Sequence, residues 1–308
     1  KNKIYIGFEA SVAGGIPIIN ILRKYMTGNH IHEIEGIING TCNYILTQME
    51  ESGLDFPEAL KQAQKLGFAE ADPTLDIGGG DAASKIAILA SLSFNQNILY
   101  TDVYTEGIEK VSIMDIQYAK TMGYRIKLLG LCNINQNQEV DVRVHPCLVK
   151  QFHPLWGIRN EFNAVAVESD FLGLSMYYGK GAGAYPTATA VVSDVIDIAT
   201  RILSKKEYNP NYFTLSQNKK IKNRDHISSR YYVRIMTQDK TGILARLAQV
   251  FGENSISIAT VMQLETEQDF IPLILTTHEA TEKQFQDSLL KIQEFDFVES
   301  VVYYRILD

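Results

Sequence analysis

The sequence predicts an α+β protein of α/β-like character: a mixed-sheet domain with packed helices, followed by a ferredoxin-like βαββαβ unit. Three observations predict it. Helical and strand-like segments are mixed over the first 200 or so residues, as in a two-layer α+β domain. A polar stretch with little periodicity, "SKKEYNPNYFTLSQNKKIKNRDHISS" near 204–229, reads as a linker. Beyond it, six segments follow in the order strand, helix, strand, strand, helix, strand. The expected boundaries are a first domain over 1–204, a linker over 205–229 and a second domain over 230–308. The length of 308 residues suits about two domains at ~150 residues each.

The elements follow in chain order. "EIEGIIN" is a strand candidate, and "TCNYILTQMEESG" is a helix that stops at Gly53. "FPEALKQAQKLG" is a second helix, with Pro57 in its first turn, where an absent N–H costs nothing, and Gly67 past its end. "DAASKIAILASLSF" is a third helix, with Asp81 at the N-cap position. "YRIKLLGLCNI", "EVDVRVHPCLV" and "AVAVESDFLGLSMYYG" alternate or run apolar as strands do, and "PTATAVVSDVIDIATRIL" opens a long helix at Pro186. After the linker, "YYVRIMT" is a strand and "GILARLAQVFGEN" has apolar residues at helical spacing. "ISIATVMQLE" and "DFIPLILTTHE" are strands, "TEKQFQDSLLKIQEF" is an amphipathic helix capped by Thr281, and "VESVVYYRIL" is the last strand.

Composition removes several classes of function. Hydrophobic residues make up 45% of the chain, enough for a core in each domain. A net charge of −7, with no strongly basic segment except "KKIKNRD", argues against a nucleic-acid partner. No apolar run reaches the ~18 residues of a membrane span. Cys42, Cys132 and Cys147 are odd in number and far apart, which argues against a disulfide framework and a zinc site and suits a reduced, cytoplasmic setting. The chain begins at Lys1 without a methionine or signal-like pattern and reads as a piece of a longer protein.

"AEADPTLDIGGGDAASK" (69–85) carries the densest chemistry. It holds Glu70, Asp72, Asp76 and Asp81, with Gly78, Gly79 and Gly80 in the middle, and then Lys85 inside an apolar helix. A lysine early in a helix opposes the dipole, and Asp81 lies one turn back, on the same face. Two readings stand. One is a structural pair with the loop acids solvated. The other is a buried ammonium that donates a proton, with spare carboxylates holding a substrate amino group. "GKGAGAYPTATA", with Gly179, Gly181 and Gly183, is either a tight turn or a loop that lets a cofactor approach a helix N-terminus; its spacing is not GxGxxG. "FEASVAGGIPII" is either a plain loop or a set of carbonyls beside Glu9 that face a hard cation. In "INGTCNYIL", Asn39, Gly40 and Thr41 turn into a helix, and capping explains them without a ligand.

Together these stretches resemble the homoserine dehydrogenases. The residues that carry the resemblance are "FEASVAGGIPII", "GIINGTCNYILTQM", "AQKLGFAEADPTLDIGGGDAASKIAIL" and "GKGAGAYPTATAVVSDV", in the family's order and spacing across most of 5–200. "DKTGILARLAQVFGENSISIATVMQ" resembles an ACT domain, whose topology is βαββαβ and which regulated monofunctional members carry as a tail. The resemblance implies NAD(P)H-dependent, reversible reduction of L-aspartate 4-semialdehyde to L-homoserine in threonine, isoleucine and methionine synthesis, feedback-regulated through the ACT domain. It implies Lys85 as proton donor, with Glu70, Asp76 and Asp81 as substrate-binding acids. Gly67 and Gly183 match backbone positions near NADP or NAD. Glu9, Val12, Gly14 and Ile16 match a site for a monovalent cation such as sodium, the last three through their carbonyls. It also implies a homo-oligomer, dimer or tetramer, and an amino-acid effector, threonine foremost, near Asp239, Gly242, Asn254 and Ile256.

One departure is large. The family's nucleotide-binding domain, with GxGxxG and a further lysine, is not among these 308 residues. The chain is therefore expected to be inactive or nearly so by itself, and the choice between NAD and NADP lies in the domain it lacks. The competing expectation is an amino-acid-binding or oligomerisation module without catalysis. A degenerate scaffold is a third, against which the retained Glu70, Asp76, Asp81 and Lys85 argue.

Overall fold

The computed structural model describes residues 4–204, 215–263 and 268–307, and these fall into two units. The first holds most of the chain up to Ile221; Ala119–Arg125 and Cys147–Gln151 group instead with the residues from Lys222 onward.

The first unit begins with a short helix, α1 (Ile18–Asn20), that runs on as a π turn to Tyr25. Then come β1 (Ile31–Ile37), α2 (Gly40–Ser52), α3 (Phe56–Lys65), α4 (Thr74–Ile77) and α5 (Gly80–Phe94). A two-residue β2 (Tyr104–Thr105) and α6 (Ile113–Thr121) precede the long strands β3 (Tyr124–Ile134) and β4 (Val140–Lys150). β5 (Phe162–Ser169), β6 (Gly173–Lys180) and α7 (Ala184–Leu203) complete it. The sheet order is β6-β5-β1-β3-β4, with β1 antiparallel to both β3 and β5 and with β2 parallel to β4. It is thus a mixed sheet, as expected.

Local chemistry explains most boundaries. Asn39 caps α2 by accepting from the Cys42 N–H at 2.8 Å, and Gly53 ends the helix at φ 67°. Asp55 caps α3 through the Glu58 N–H at 2.9 Å, with Pro57 in the first turn. α5 buries Ala82, Ala83, Ile86, Ala87, Leu89, Ala90 and Phe94, so its apolar run is a core run. Two expectations are corrected. Asp81 does not cap α5: Gly79, at φ 84°, does, because the left-handed turn before the helix requires a glycine. "AVAVESDFLGLSMYYG" is not one strand but the hairpin β5–β6. Its turn is built by Asp170, which accepts from the Phe171 and His30 N–H groups, and by Gly173 at φ 69°.

The second unit holds β7 (Ser228–Gln238), α8 (Ile243–Glu253), β8 (Ile258–Gln263), β9 (Phe270–Thr277), a two-residue β10 (Ala280–Thr281), α9 (Glu282–Gln293) and β11 (Val298–Leu307). The order β11-β7-β9-β8 with antiparallel neighbours is the ferredoxin-like arrangement of βαββαβ. Cys147–Val149 add a parallel strand beside Arg305–Leu307. α8 and α9 bury Leu247, Phe251, Phe285, Leu289 and Ile292 against Tyr231, Val233, Ile235 and Leu275 of the sheet. Thr281 caps α9 in a reciprocal box with Gln284.

Of the polar stretch expected to be a linker, 205–214 lie outside the described residues. The described remainder is anchored at both ends. Lys220 accepts from the Val140 N–H at 2.7 Å through its carbonyl, within the first unit. Arg224 reaches Glu282 at 2.8 Å, within the second. Glu282 is only 2% exposed, yet ionised groups surround it. Arg305 donates to it twice, at 3.1 and 2.7 Å, and the Tyr231 hydroxyl and Gln286 amide donate at 2.9 Å each. Among the described residues, no helix is long and apolar enough to cross a membrane.

Candidate active site

β1 ends where α2 begins, and that junction organises the site. Two side chains of the junction bond to the acidic stretch, and a third to the residue just before it. The Asn39 Nδ2 donates to Asp76 Oδ1 at 2.7 Å and to Asp81 Oδ2 at 2.9 Å. The Thr41 hydroxyl donates to the Phe68 carbonyl at 2.7 Å. The Cys42 thiol donates to the Asp76 carbonyl at 3.2 Å. Burial, then the nearby Asp76 and Asp81 charges, push that thiol well up, so it stays protonated and structural.

Lys85 stands in the second turn of α5, where the dipole penalty has faded. Its ammonium donates to Asp81 Oδ2 at 2.7 Å and to the Ile38 carbonyl at 3.1 Å. The predicted pair with Asp81 forms, but Lys85 is half-buried rather than buried, with 21% of its side chain exposed. That exposure leaves the ammonium reachable by a small molecule. Among the described residues the fully buried lysine is Lys127, 1% exposed, whose ammonium donates to Asn43 Oδ1 at 3.0 Å and to the Ile158 carbonyl at 2.6 Å.

The three glycines close the turn between the acids. Gly78 and Gly79 donate to the Thr74 and Asp76 carbonyls at 2.9 Å each. The segment after β2 packs directly on this turn: a Cβ on Gly107 would lie 2.2 Å from the Ile77 carbonyl oxygen and 2.6 Å from Gly78 Cα. Asp72 is outside the cluster, and hydrogen bonds from the Thr74 hydroxyl and N–H hold its carboxyl below the usual range. Glu70 is exposed; its carbonyl accepts from Gln64 at 3.1 Å, and its carboxylate has no partner among the described residues. The structure thus brings Lys85, Asp81 and Asp76 together through Asn39, and does not bond Glu70 to them.

The two glycine-rich stretches meet each other. Gly15 donates to the Lys180 carbonyl at 2.9 Å, and a Cβ on Gly14 would lie 2.5 Å from the Gly181 carbonyl oxygen. Glu9 is 3% exposed, and its carboxylate accepts from the Ile19 and Asn20 N–H groups at 2.8 and 2.9 Å and from the Asn20 amide. Burial raises its pKa, and Asp194 of α7, which accepts from the Glu9 N–H at 2.9 Å, raises it further. Val12, Gly14 and Ile16 are buried beside it in sequence, with Ala13 and Gly14 at φ 53° and 38°. The Ile16 carbonyl already accepts from Ile18 at 2.7 Å. Gly67 (φ 78°) and Gly183 (φ 112°, capping α7) are exposed backbone positions.

In the second unit, Asp239 and Gly242 sit on the exposed turn between β7 and α8, and Asn254 caps the end of α8. Ile256 is 4% exposed and packs in the apolar core.

Sequence reasoning missed Asn39 as a partner of the acids, since capping alone accounted for it. Its two contacts are 37 and 42 residues distant in sequence, beyond any local pattern.

Comparison with known proteins identifies the family and the fold. The homoserine dehydrogenase family model matches residues 17–196, and the ACT domain model matches 231–294. A homoserine dehydrogenase of Neisseria gonorrhoeae is 40% identical over 307 residues, 98% of this chain and 70% of that protein. The crystal structure of a homoserine dehydrogenase from Thiobacillus denitrificans aligns with a TM-score of 0.92 at 38% identity, over 98% of this chain and 70% of that one. A hyperthermophilic archaeal homoserine dehydrogenase mutant in complex with NADPH aligns with a TM-score of 0.53 at 27% identity, over 63% of this chain and 55% of that one. This chain belongs to the homoserine dehydrogenase family and carries an ACT domain after its catalytic region.

Proposed function

We propose that this chain carries the proton-donating and substrate-holding part of an enzyme that reversibly reduces L-aspartate 4-semialdehyde to L-homoserine with NAD(P)H. The observation that supports it most is the half-buried Lys85 ammonium, held 2.7 Å from Asp81 in a cluster with a second carboxylate. Reduction of the aldehyde carbon leaves an alkoxide. Lys85 donates a proton from Nζ to that oxygen, giving the alcohol and a neutral amine. In the reverse direction the amine takes the proton back from homoserine. Asp76, Asp81 and the unengaged Glu70 supply anionic oxygens for the substrate's α-ammonium group.

A bound nicotinamide cofactor supplies the hydride. Gly67 and Gly183, exposed backbone positions at positive φ, are the chain's own residues proposed to face its ring end, and a Cβ on Gly67 would meet nothing within 4 Å. The relative in complex with NADPH supports NADP or NAD in this role. No GxGxxG occurs in the 308 residues, and in this reading the remainder of the cofactor would be held by a separate nucleotide-binding domain of the complete protein. Glu9, buried and with no cationic side chain in its hydrogen bonds, is the acid we assign to a site for a monovalent cation such as sodium, with the Val12, Gly14 and Ile16 carbonyls as the further oxygens proposed for it. The ion would neutralise Glu9 and brace the loop that abuts Gly181.

The reading extends to a cytoplasmic homo-oligomer, with residues 1–204 catalytic, 205–229 linking and 230–308 regulatory, in threonine, isoleucine and methionine synthesis. The reaction is tested by homoserine oxidation with NADP+ or NAD+. The complete gene product is expected to turn over and the 308-residue chain to retain only a trace. Full turnover by the chain alone overturns the division of labour, and an inactive complete protein overturns the reaction.

A second reading, an amino-acid-binding module, is favoured by the exposed Asp239–Gly242 turn at the α8 N-terminus. Calorimetry with threonine, isoleucine and methionine is expected to give heat with threonine. Silence from all three leaves this unit as an oligomerisation device.

A further inference from the structure

We propose that Asn39 is a positioning residue of this site: its side-chain amide holds the Asp76 and Asp81 carboxylates in the orientation that receives the substrate's ammonium group. This rests on the reaction proposed above. An asparagine amide offers two N–H donors on one atom and one acceptor on the other. Here the acceptor is committed, because Oδ1 takes the Cys42 N–H at 2.8 Å to cap α2. That bond decides which way the amide faces, since a flipped amide would set N–H against N–H. Both donors are then aimed away from the helix, one at Asp76 Oδ1 and one at Asp81 Oδ2. Asn39 is 5% exposed, so the bonds form largely out of water, and each ends on a carboxylate.

The choice of a neutral donor has a chemical consequence. Two carboxylates brought this close repel each other and would swing apart without a common partner. A lysine or arginine at position 39 would join them but cancel charge that a cationic substrate needs. The amide joins them and leaves the charge in place. The charges that act on the Cys42 thiol beside the pair are those of Asp76, Asp81, Lys85 from α5 and Glu109 from the segment after β2, and Lys85 is the cation of that group. Asp81 Oδ2 accepts from both Asn39 and Lys85. Among the described residues, Asp81 Oδ1 and Asp76 Oδ2 accept nothing, and these are the oxygens the proposal assigns to the ligand.

Substitution separates this role from capping. Serine and aspartate both cap helices well, so N39S and N39D keep α2 and lose the two donors. N39A loses both functions. In the complete enzyme, N39S is expected to raise KM for aspartate semialdehyde by roughly tenfold to a hundredfold, more than it lowers kcat, with its melting temperature close to wild type. N39D, which adds a third carboxylate, is expected to be worse. Wild-type kinetics in N39S beside a crippled N39A would show a cap and nothing more. A readout independent of turnover completes the test: the side-chain carboxyl carbon resonances of Asp76 and Asp81, in protein labelled at aspartate. Both are expected to move in N39S, and unmoved resonances overturn the proposal. If the wild-type enzyme proves inactive on homoserine, the reaction falls while these resonances still decide what Asn39 does.

Discussion

Lys85→Ala is expected to lower kcat for homoserine oxidation by about 10²–10⁴-fold in the complete enzyme, with the fold intact. The size follows from losing a general acid aimed at the atom that must gain or lose a proton. The fold survives for a reason visible at the site. Lys85 and Asp81 are each about one-quarter exposed, so water replaces the lost contact, and an ion pair of this kind contributes only about 0–1 kcal/mol. Asp81 also keeps its bond from Asn39 at 2.9 Å. Lys85→Arg sharpens the test, because a guanidinium preserves the charge but does not release its proton. Arginine is expected to restore part of the substrate affinity and little of kcat. Paired measurements of kcat, KM and melting temperature check this, and turnover near wild type in either variant rejects the proton-transfer role.

The second large effect is on stability. Glu282→Ala is expected to destabilise the second unit by about 3–5 kcal/mol, because it removes the buried carboxylate that takes two hydrogen bonds from the buried Arg305 guanidinium. Arg305 is 2% exposed, so water cannot take over. The same network makes stability depend on acid. Burial alone would raise the Glu282 pKa, but hydrogen bonds and charge from Arg305, with hydrogen bonds from Arg224 and Gln286, outweigh it and hold the carboxyl at about 2. A depressed carboxyl pKa contributes stability that is complete above the unfolded value near 4.5 and is lost as pH falls toward 2. The amount at stake is on the order of 3 kcal/mol. Denaturant melts of the second unit between pH 6 and pH 2 check both statements. Glu282→Gln, which cannot titrate, is expected to flatten the pH dependence, and an equally steep profile in that variant removes Glu282 as its source.

Much of this was legible in the sequence, and the parts that were not share a cause. The Lys85–Asp81 pair is an i,i+4 relation, and the βαββαβ order follows from periodicities that each span a dozen residues. Thr281 could be assigned as a cap because its partner Gln284 is three residues away. Contacts between distant segments carry no such signature. Asn39 looked like a cap and is one, yet its other hand reaches two acids far along the chain. Lys127 shows the limit of the argument used for Lys85. It too is a lysine in an apolar run, and it is the more buried of the two, but its ammonium donates to an amide oxygen and a backbone carbonyl. An apolar setting marks a lysine as constrained; only the partners say what the constraint serves. The misplaced cap at Asp81 has a similar origin, since a glycine turn in the left-handed region can start a helix without a side-chain acceptor.

The contact of Gly107 with the glycine turn also bears on redesign. Backbone lies on backbone there, so no side chain at 107 can be accommodated without moving the turn that carries Asp76 and Asp81. The acidic stretch is therefore clamped by backbone contact at one end, while at the other the Glu70 side chain stands exposed. A library meant to broaden the range of aldehydes accepted should diversify the exposed positions 71 and 72, where a new side chain meets solvent rather than the packed turn. Varying 77–80 or 106–108 would mostly yield misfolded clones, and the few survivors would have surrendered the geometry that makes Lys85 useful.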